Sequence, residues 1–575
     1  MENRRFVLLC ILAVILFLMY RAWQEDYGPK PQTAQQAVPE AATATQSPDA
    51  INDDLQALPQ GAAPELDNAP EQVNGQQATA SVRAEKIVSV RTDKLRVDID
   101  SQGGSIQRVE LLGIPVSKDQ PEQNLQLLQN RPPFFFVAQS GLLAQGSSAP
   151  DHRSPYQTTA ERYSLNEAQP KRDVRLTWQD GQRQVTKVYA FDYDSYEIEL
   201  RHEVKNGAAE PWQLSPYVRF WRTPKTEGSE PPFIQSFFGV GWYEQKEGGE
   251  NYRFTKLAAD DLSDEPLKAQ QTGGWLAMLQ HYFMAVAIPP AAGTTTYFAK
   301  PKNLPGEIGA FEGGYVGQQV VVPAGGEHVF TERLYIGPKL QGRLDEIAPG
   351  LQLSIDYGIL TVLSEPLFWV LDKLHGLTGN WGWAIILLTL AIKAAFYKLS
   401  EHQYRAMARM KKFTPRIQSL KERYADDREG MQKAMMDLYK KEGFNPLGGC
   451  WPMLVQIPVF IALYWVLLES VELRQADFAL WLTDLSSPDP YYVLPVLFGI
   501  SMWAQQKLSG TAMTMDPMQQ RMMTIMPIAL TGFFAFFPAG LVLYWLVSNL
   551  IGIAQQWFIT RRLEAEEEAK KAKAK

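Results

Sequence analysis

Cysteine and histidine are scarce in this chain, whose 575 residues include two cysteines and six histidines. Both cysteines, Cys10 and Cys450, lie in apolar or membrane-edge stretches, so no disulfide framework is predicted. The histidines are scattered along the chain, and none forms an HExxH pair or has a close ligand partner in the sequence. We therefore expect no resident metal ion.

Catalytic and nucleotide-binding motifs are missing as well. The chain has no GxSxG nucleophile elbow, no phosphate-binding P-loop and no pair of carboxylates inside an apolar segment. Catalysis needs several reactive groups that converge, whereas the interiors of the apolar segments hold one charged residue, Lys393. The sequence therefore predicts a protein that is not an enzyme and that has no cofactor.

What the chain does contain is a set of apolar segments in its C-terminal half. Residues 381–398 are long and apolar enough to cross a bilayer, and Lys393 lies inside them. An ammonium at hydrocarbon depth costs roughly 2.5 to 3.5 kcal/mol, so it should face water, a partner or a cavity. Lys393 either reaches the headgroups along its own stem or lines a polar groove. Thr389, one turn earlier on the same helix face, favours the groove.

Charged loops set the predicted direction of each span. Residues 399–444 are rich in lysine and arginine, which predicts a cytoplasmic loop, whereas the loop after residue 468 is acidic and is predicted to lie outside. Residues 522–559 are too long for one crossing and contain Pro538-Ala539-Gly540, which indicates a hairpin of two spans. With an uncleaved N-terminal signal anchor, the expected spans are at about 1–23, 381–398, 449–468, 491–506, 523–537 and 541–559.

This six-span topology puts both termini in the cytoplasm and residues 24–376 outside. Within the outer part, residues 83–350 have the pattern of a large all-β sandwich: Leu95, Val97 and Ile99 alternate with charged residues. Asp180-Gly181 and Asn206-Gly207 stand where hairpin turns are expected. Residues 24–82 are predicted to be a disordered tether, 351–376 an interfacial amphipathic helix, 399–444 two amphipathic helices, and 561–575 a charged cytoplasmic tail.

Two groups of side chains leave alternatives open. The aromatic stretches 134–136 and 233–243 suit either core packing or a cleft for a sugar or a peptide. Amides and hydroxyls in the predicted spans suit either interhelical hydrogen bonds or, together with Lys393, a wet cavity open to the cytoplasm. These polar residues are Thr389, Gln456, Ser501, Gln505, Gln506, Thr524, Ser548, Asn549, Gln555 and Gln556.

Four long blocks make the chain similar to a known family. They are NPLGGCWPMLVQIPVF at 445–460, SVELRQADFALWLTDLSSPDPYYVLP at 470–495, DPMQQRMMTIMP at 516–527 and FPAGLVLYWLVSNL at 537–550. With these blocks the whole chain resembles the YidC/Oxa family of membrane protein insertases in its Gram-negative form. The resemblance implies a six-span α-helical core in the bacterial inner membrane with a periplasmic β-supersandwich domain. The implied function is an insertase and foldase that works alone or with the Sec translocon, without nucleotide or metal.

The resemblance also implies a site. Family members carry a positive residue in a hydrophilic groove that is open to the cytoplasm and lipid, while the client helix slides along the third and fifth spans. Lys393, Thr389, Gln456, Gln506, Tyr544 and Trp545 are the expected groove residues, and Ile457, Phe460 and Phe536 the expected slide residues. Lys393 replaces the usual Arg and lacks its planar fork, Trp545 replaces a common Tyr, and Phe536 stands where Trp is frequent.

The implied partners are nascent membrane proteins, the lipid bilayer and the Sec translocon (SecYEG and SecDF). The cytoplasmic hairpin is expected to meet the signal recognition particle, its receptor or the ribosome, and no direct nucleic-acid binding is expected. Two alternative functions stay open beside the insertase. One is a small-anion secondary transporter with Lys393 as the counter-ion, and the other is an envelope scaffold whose β domain binds a ligand.

Overall fold

The computed structural model describes residues 86–144, 147–225, 237–245, 252–424, 427–441, 451–509 and 517–574. The predicted signal anchor, the predicted tether and both cysteines lie outside the described residues. Within them, a β region is followed by a helical region.

The β region is a sandwich because apolar residues alternate along its strands. In strand β2, Leu95–Asp100, the side chains of Leu95, Val97 and Ile99 are fully buried, while Arg96 and Asp98 between them are half-buried. One sheet has eleven strands and the other nine, and residues from both share one core. The predicted large all-β domain is therefore confirmed.

The first sheet runs β14-β17-β18-β11-β5-β4-β3-β2-β1-β7, with β19 paired to β11, and the second runs β13-β12-β15-β16-β20-β10-β9-β8-β6. The strands are β1 Ile87–Arg91, β2 Leu95–Asp100, β3 Ser105–Ser117, β4 Gln120–Gln129, β5 Phe136–Ala144, β6 Gln157–Thr158, β7 Arg162–Ser164, β8 Lys171–Asp180, β9 Arg183–Asp192, β10 Glu197–Asn206, β11 Trp212–Arg222, β12 Gly239–Gln245, β13 Tyr252–Ala258, β14 Leu267–Thr272, β15 Trp275–Leu279, β16 Phe283–Ile288, β17 Thr294–Pro301, β18 Phe311–Val316, β19 Val320–Val322 and β20 Glu327–Pro338.

One of the two predicted hairpin turns is present and the other is not. Asp180-Gly181 joins the paired strands β8 and β9, with Gly181 in the left-handed region at φ 57°. Asn206-Gly207 instead leads from β10 in one sheet to β11 in the other, so the hairpin prediction is wrong there. The Asn206 amide explains the difference, because its Nδ2 donates to the carbonyls of Glu210, Val322 and Pro323 at the end of the sandwich.

The helical region begins after three short helical turns between residues 344 and 360. Gly379, with φ 64°, ends the first long helix, and the side chain of Asn380 caps the next by accepting from the backbone N–H of Trp383 at 3.1 Å. The helices are α1 Thr361–Thr378, α2 Trp381–Ala395, α3 Tyr397–Arg423, α4 Arg428–Lys441, α5 Trp451–Glu469, α6 Val493–Ser509, α7 Pro517–Phe534 and α8 Ala539–Ala574.

Helix α8 is the centre of the bundle, since it packs against α2, α3, α5 and α6. Among the described residues, its segment Ala539–Glu566 is the one single helix long and apolar enough to cross a membrane. A second candidate is α2 together with the start of α3, bent by 64°. The other predicted spans that are described include shorter apolar helices, Leu454–Glu469 in α5 and Thr524–Phe534 in α7. The structure thus has a C-terminal helical region, and the count of six spans rests on the loop charges.

The β region docks on the segment that follows α5. The Gln341 N–H donates to Glu472 Oε1 at 3.0 Å, and Gln341 Nε2 donates to Ser470 Oγ at 2.9 Å. Arg474 Nη2 donates to the carbonyls of Pro115 and Val116 in β3 at 2.9 and 3.0 Å. Burial raises the pKa of Glu472, at this boundary, to about 7. Its carboxyl is therefore partly protonated near pH 7.

Candidate functional site

Lys393 lies in the last turn of α2, beside the 64° bend into α3. The predicted span of about 381–398 contains a helix break, because α2 ends at Ala395 and Lys398 belongs to α3. The bend puts the ammonium near the carbonyl end of a helix, where the helix dipole favours a cation. The Lys393 carbonyl also accepts from Gln555 Nε2 of α8 at 3.3 Å, which ties this end of α2 to α8.

The Lys393 side chain is half-buried and has no salt bridge or side-chain hydrogen bond with any residue that the structure describes. The carboxylate of Glu401, in α3, is engaged by Lys398 at 3.5 Å and by Arg405 at 2.9 Å. The charge of Lys393 is therefore left without an anionic partner in the described part of the protein. Such a cation suits an anionic group that arrives from elsewhere.

The surroundings of Thr389 differ from those expected of a groove residue. Its side chain is 1% exposed, and its hydroxyl donates to the carbonyl of Ile385 at 2.7 Å. The hydroxyl is therefore satisfied within its own helix, as is common for threonine in apolar helices. Thr389 belongs to the packed interior beside Lys393.

Polar contacts join α8 to the neighbouring helices over its middle part. Asn549 Nδ2 donates to Ser501 Oγ of α6 at 2.7 Å, and the Tyr404 hydroxyl of α3 donates to the Gly552 carbonyl at 3.0 Å. The sequence reading missed Tyr404, which stood in the predicted cytoplasmic hairpin. The sequence offers no local signal for this contact, because it joins residues 148 positions apart.

One turn earlier on α8, the surroundings become aromatic. The Trp545 ring stacks on Phe460 of α5 at 5.4 Å between centroids and lies 3.9 Å from Phe534 of α7. Tyr544 lies 6.2 Å from Phe460. The structure thus brings together three of the predicted residues, Phe460, Tyr544 and Trp545. No described residue accepts a hydrogen bond from the buried Trp545 Nε1.

The remaining predicted residues stand apart from this cluster or at its surface. Ile457 is 43% exposed and Phe536 is 46% exposed. Other apolar side chains, on α6 and α7, are exposed as well, including Ile500, Ile525 and Ile528. Exposed apolar side chains of this kind suit lipid or an apolar client helix. Gln456 and Gln506 are half-buried, and neither forms a hydrogen bond with another described residue.

At the opposite end of the bundle from Lys393, called the closed end below, backbone hydrogen bonds hold the loops together. The turn between α7 and α8 is held by Ala539 N–H to the Ser487 carbonyl at 2.8 Å and by Gly540 N–H to the Leu485 carbonyl at 2.9 Å. The start of α2 is tied to the same 470–490 segment, since Asn380 Nδ2 donates to the Phe478 carbonyl at 3.0 Å. At about 1.5 Å per residue, Lys393 lies roughly 18 Å along α2 from this closed end.

Known proteins similar to this chain match it from end to end. Residues 87–370 match the family model described as YidC periplasmic domain, and residues 373–567 match the one described as 60Kd inner membrane protein. The membrane protein insertase YidC of Nitrosococcus oceani is 43% identical over 571 residues, which are 98% of this chain and 100% of that protein. That of Alkalilimnicola ehrlichii is 44% identical over 578 residues, covering 100% of this chain and 98% of that protein.

The chain belongs to the YidC family of membrane protein insertases. This decides between the three functions predicted above in favour of the insertase, and YidC function is non-enzymatic, as predicted. YidC proteins of this kind are inner-membrane proteins. A solved YidC structure, described as an active insertase with its first transmembrane domain resolved, is 17% identical with a TM-score of 0.37 and covers 82% of this chain and 92% of that one.

Proposed function

We propose that this chain inserts newly made proteins into the inner membrane through a groove at Lys393 that is open to the cytoplasm and to lipid. The observation that carries the proposal is the half-buried Lys393 ammonium, which has no salt bridge with a described residue. It lies beside a bend at the end of α2 opposite the closed turn of α7 and α8. A cation in this position attracts an acidic or polar client segment.

The proposed topology has six spans, with residues 24–376 in the periplasm and both termini in the cytoplasm. The spans are the N-terminal anchor, α2, α5, α6, α7 and the first part of α8. The salt bridge between Lys118 of the β region and Asp477 after α5 supports this arrangement, because it requires both regions on one side of the membrane. The lysine- and arginine-rich helices α3 and α4 then lie in the cytoplasm.

In this account the groove holds the polar part of the client while its apolar helix partitions into lipid. Gln456, Gln506, Tyr544 and Trp545 line the groove, and Thr389 supports its packed wall through the hydrogen bond within α2. The client helix slides along Ile457, Phe460 and Phe536, whose partly exposed apolar surfaces offer contact without hydrogen-bonding demands. The charged group enters from the Lys393 end, since backbone hydrogen bonds hold the loops together at the other end.

Partitioning of the client helix and the membrane potential supply the driving force. The potential contributes about 2.3 kcal/mol per elementary charge per 100 mV, which suffices for short acidic tails. The predicted fifth span, residues 523–537, is roughly 22 Å long at about 1.5 Å per residue, against a hydrocarbon core of about 30 Å. A span this short favours local thinning of the bilayer, which lowers the cost of moving a polar segment across.

The proposed partners are nascent membrane proteins and, for larger clients, the Sec translocon with SecYEG and SecDF. The amphipathic helices α3 and α4 form the proposed contact surface for the signal recognition particle, its receptor or the ribosome. Exposed cations on these helices, such as Lys433 and Lys440, suit acidic partners.

The experiment is protease-protected insertion of a small membrane protein with a short acidic tail into liposomes that contain this protein alone. We expect insertion by the wild type and by Lys393→Arg, and a drop of about tenfold with Lys393→Ala, since an unpartnered charge in the membrane costs a few kcal/mol. A client whose tail acids are replaced by Gln should be much less sensitive to Lys393→Ala.

Lys398→Ala is the matched control, because Lys398 is 90% exposed and lies just beyond the bend. It should insert the acidic client as well as the wild type does. If Lys393→Ala and Lys398→Ala both insert the client as well as the wild type does, the groove is refuted. Lys393 then only extends its side chain to the headgroups.

A further inference from the structure

A cavity of about 570 Å³ lies between the β region and the segment that follows α5. One wall comes from β3, β4, β5 and β11, and the other from residues 474–490, the same segment that holds the turn between α7 and α8. The cavity therefore lies where the β region meets the closed end of the helical region. It is distinct from the groove at Lys393.

Arg222 is the most unusual residue of this cavity. Its side chain is 1% exposed, its Nε and Nη1 have no hydrogen-bond partner in the described part of the chain, and no salt bridge to it is present there. The guanidinium is held between two rings, 4.4 Å from the centroid of Phe136 and 4.0 Å from that of Phe238. Buried arginines are normally paired, so this one has unused capacity to bind a carboxylate.

The charges around the cavity favour an anion. Lys118, Arg222, Lys225 and Arg474 line it, against the carboxylates of Asp119 and Asp484. The oxygens of Asp484 are already engaged by Gln475, Ser486 and Ser487, and Lys118 is engaged by Asp477. His281 is neutral at pH 7, because burial lowers its pKa to about 4.

The same cavity contains an open sheet edge. Strand β4 pairs with β3 along most of its length but with β5 only at Gln129, which faces Phe136. From Gln120 to Leu128 it has no strand on its far side in the described residues. Leu125, Gln126 and Leu127 of this edge line the cavity. An open edge of this kind accepts an extended chain through backbone hydrogen bonds.

Arg222 and the open edge are close enough to act together. Arg222 faces Phe136 across β11 and β5, and Phe136 faces Gln129 across β5 and β4. Strands lie about 4.8 Å apart, so Arg222 lies roughly 10 Å from β4 along one row of the sheet. An extended peptide next to β4 thus has side chains within reach of the guanidinium.

We propose that this cavity binds an extended, acidic peptide segment that pairs with the open edge of β4 and places a carboxylate on Arg222. A lipid phosphate would satisfy the arginine but would leave the strand edge unused. If the insertase proposal above holds, on which this identification rests, the peptide is the translocated acidic segment of a client. The cavity then retains that segment after it has left the groove.

The test uses the full chain in phosphatidylcholine nanodiscs and a fluorescein-labelled peptide of about eight residues that alternates Val and Glu, measured by fluorescence anisotropy. Binding should weaken at least roughly tenfold with Arg222→Met, partly recover with Arg222→Lys, and be unchanged with Lys171→Gln, which removes an exposed charge of the other sheet. Arg222→Met should fold normally, because Nε and Nη1 have no hydrogen-bond partner among the described residues and methionine keeps apolar contact with Phe136 and Phe238; a thermal melt checks this.

Two ligand controls complete the test. One control peptide alternates Val and Gln and so lacks the charge; the other is the Val-Glu peptide with an N-methylated backbone, which cannot form the strand hydrogen bonds. Both should bind at least about tenfold more weakly than the unmodified Val-Glu peptide. Absence of Val-Glu binding, equal binding of either control peptide, or binding by glycerophosphoglycerol alone would overturn the proposal. Lys393→Ala should retain peptide binding while it loses insertion, so failure of this site is distinguishable from failure of the groove.

Discussion

Two lysines of this protein, one in the β region and one in the helical region, are both withdrawn from water and yet differ in every contact. Lys187 is fully buried in the sandwich, and its Nζ donates to the carbonyls of Gly103 and Ser140, each at 2.8 Å. Burial lowers its pKa to about 7. Lys393 is half-buried and has no such partner in the described residues. The first lysine is structural, and the second is available to a client.

The difference extends to the surroundings of each lysine. In the β region, several buried charges are paired within the protein: Arg219 contacts Glu312 at 2.9 Å, and Lys300 and Lys302 each lie 3.6 Å from the same carboxylate. In the helical region, the polar groups near Lys393 are amides and hydroxyls, which carry no charge to neutralise it. A membrane protein that moves charged segments needs a cation that its own fold leaves unpaired.

Among the substitutions that open no large cavity, the largest effect on stability should come from Lys187→Met. The variant leaves the Gly103 and Ser140 carbonyls without donors inside the sandwich, which should lower the free energy of unfolding by about 2 to 3 kcal/mol. Urea unfolding followed by tryptophan fluorescence measures this loss, and Lys171→Met, at an exposed lysine, should change it by less than about 0.5 kcal/mol. A stability unchanged by Lys187→Met would remove the contrast between the two lysines.

A smaller, pH-dependent effect is expected at the boundary between the two regions. The raised pKa of Glu472, about 7, means that the folded protein keeps a proton that the unfolded chain releases near its ordinary value of 4.5. The free energy of unfolding therefore falls as pH rises from about 4.5 to about 7. Glu472→Gln should be more stable than the wild type by about 1 to 2 kcal/mol at pH 8 and equally stable near pH 4.5.

The same urea titration at the two pH values measures this difference. Glu472→Gln keeps an oxygen that accepts from the Gln341 N–H, so the variant changes the charge and leaves the contact in place. A stability difference that does not depend on pH would show that the Glu472 carboxyl is not buried as described.

The smallest effect should come from Trp545→Phe. The indole N–H has no partner among the described residues, so phenylalanine keeps the aromatic packing against Phe460 and Phe534 and should cost less than about 1 kcal/mol. Trp545→Ala opens a cavity and should cost about 3 kcal/mol or more. Insertion rates of the two variants, compared in the liposome assay, indicate whether the ring or its N–H matters; a large loss in Trp545→Phe would assign a role to the N–H.

Much of this architecture was predictable from local patterns. Alternation at Leu95, Val97 and Ile99 indicated the sandwich, and Asp180-Gly181 marked a hairpin, because side-chain period and turn conformation are local properties. The hairpin predicted at Asn206-Gly207 was wrong, because the Asn206 side chain donates hydrogen bonds to residues more than a hundred positions away. The end of α2 at Ala395 was also missed, because a bend within an apolar run leaves no mark on hydropathy.

The site was predictable in part. Lys393 stood out because a charge in an apolar segment is costly, and Phe460, Tyr544 and Trp545 were named from the family resemblance before the structure showed their contacts. The hydrogen bond from Tyr404 to Gly552 and the unpaired Arg222 depend on which elements pack together. Single-sequence periodicity carries no information about such contacts.

The measurement that tests the central claim most directly is a charge exchange between Lys393 and the client tail, made in liposomes without a membrane potential. Wild-type protein and Lys393→Glu are each given two clients that differ only in tail residues, acidic in one and lysine in the other. The wild type should insert the acidic client better, and Lys393→Glu should reverse that preference, because the groove then carries the opposite charge. An unchanged preference in Lys393→Glu would contradict a groove that acts through the Lys393 charge.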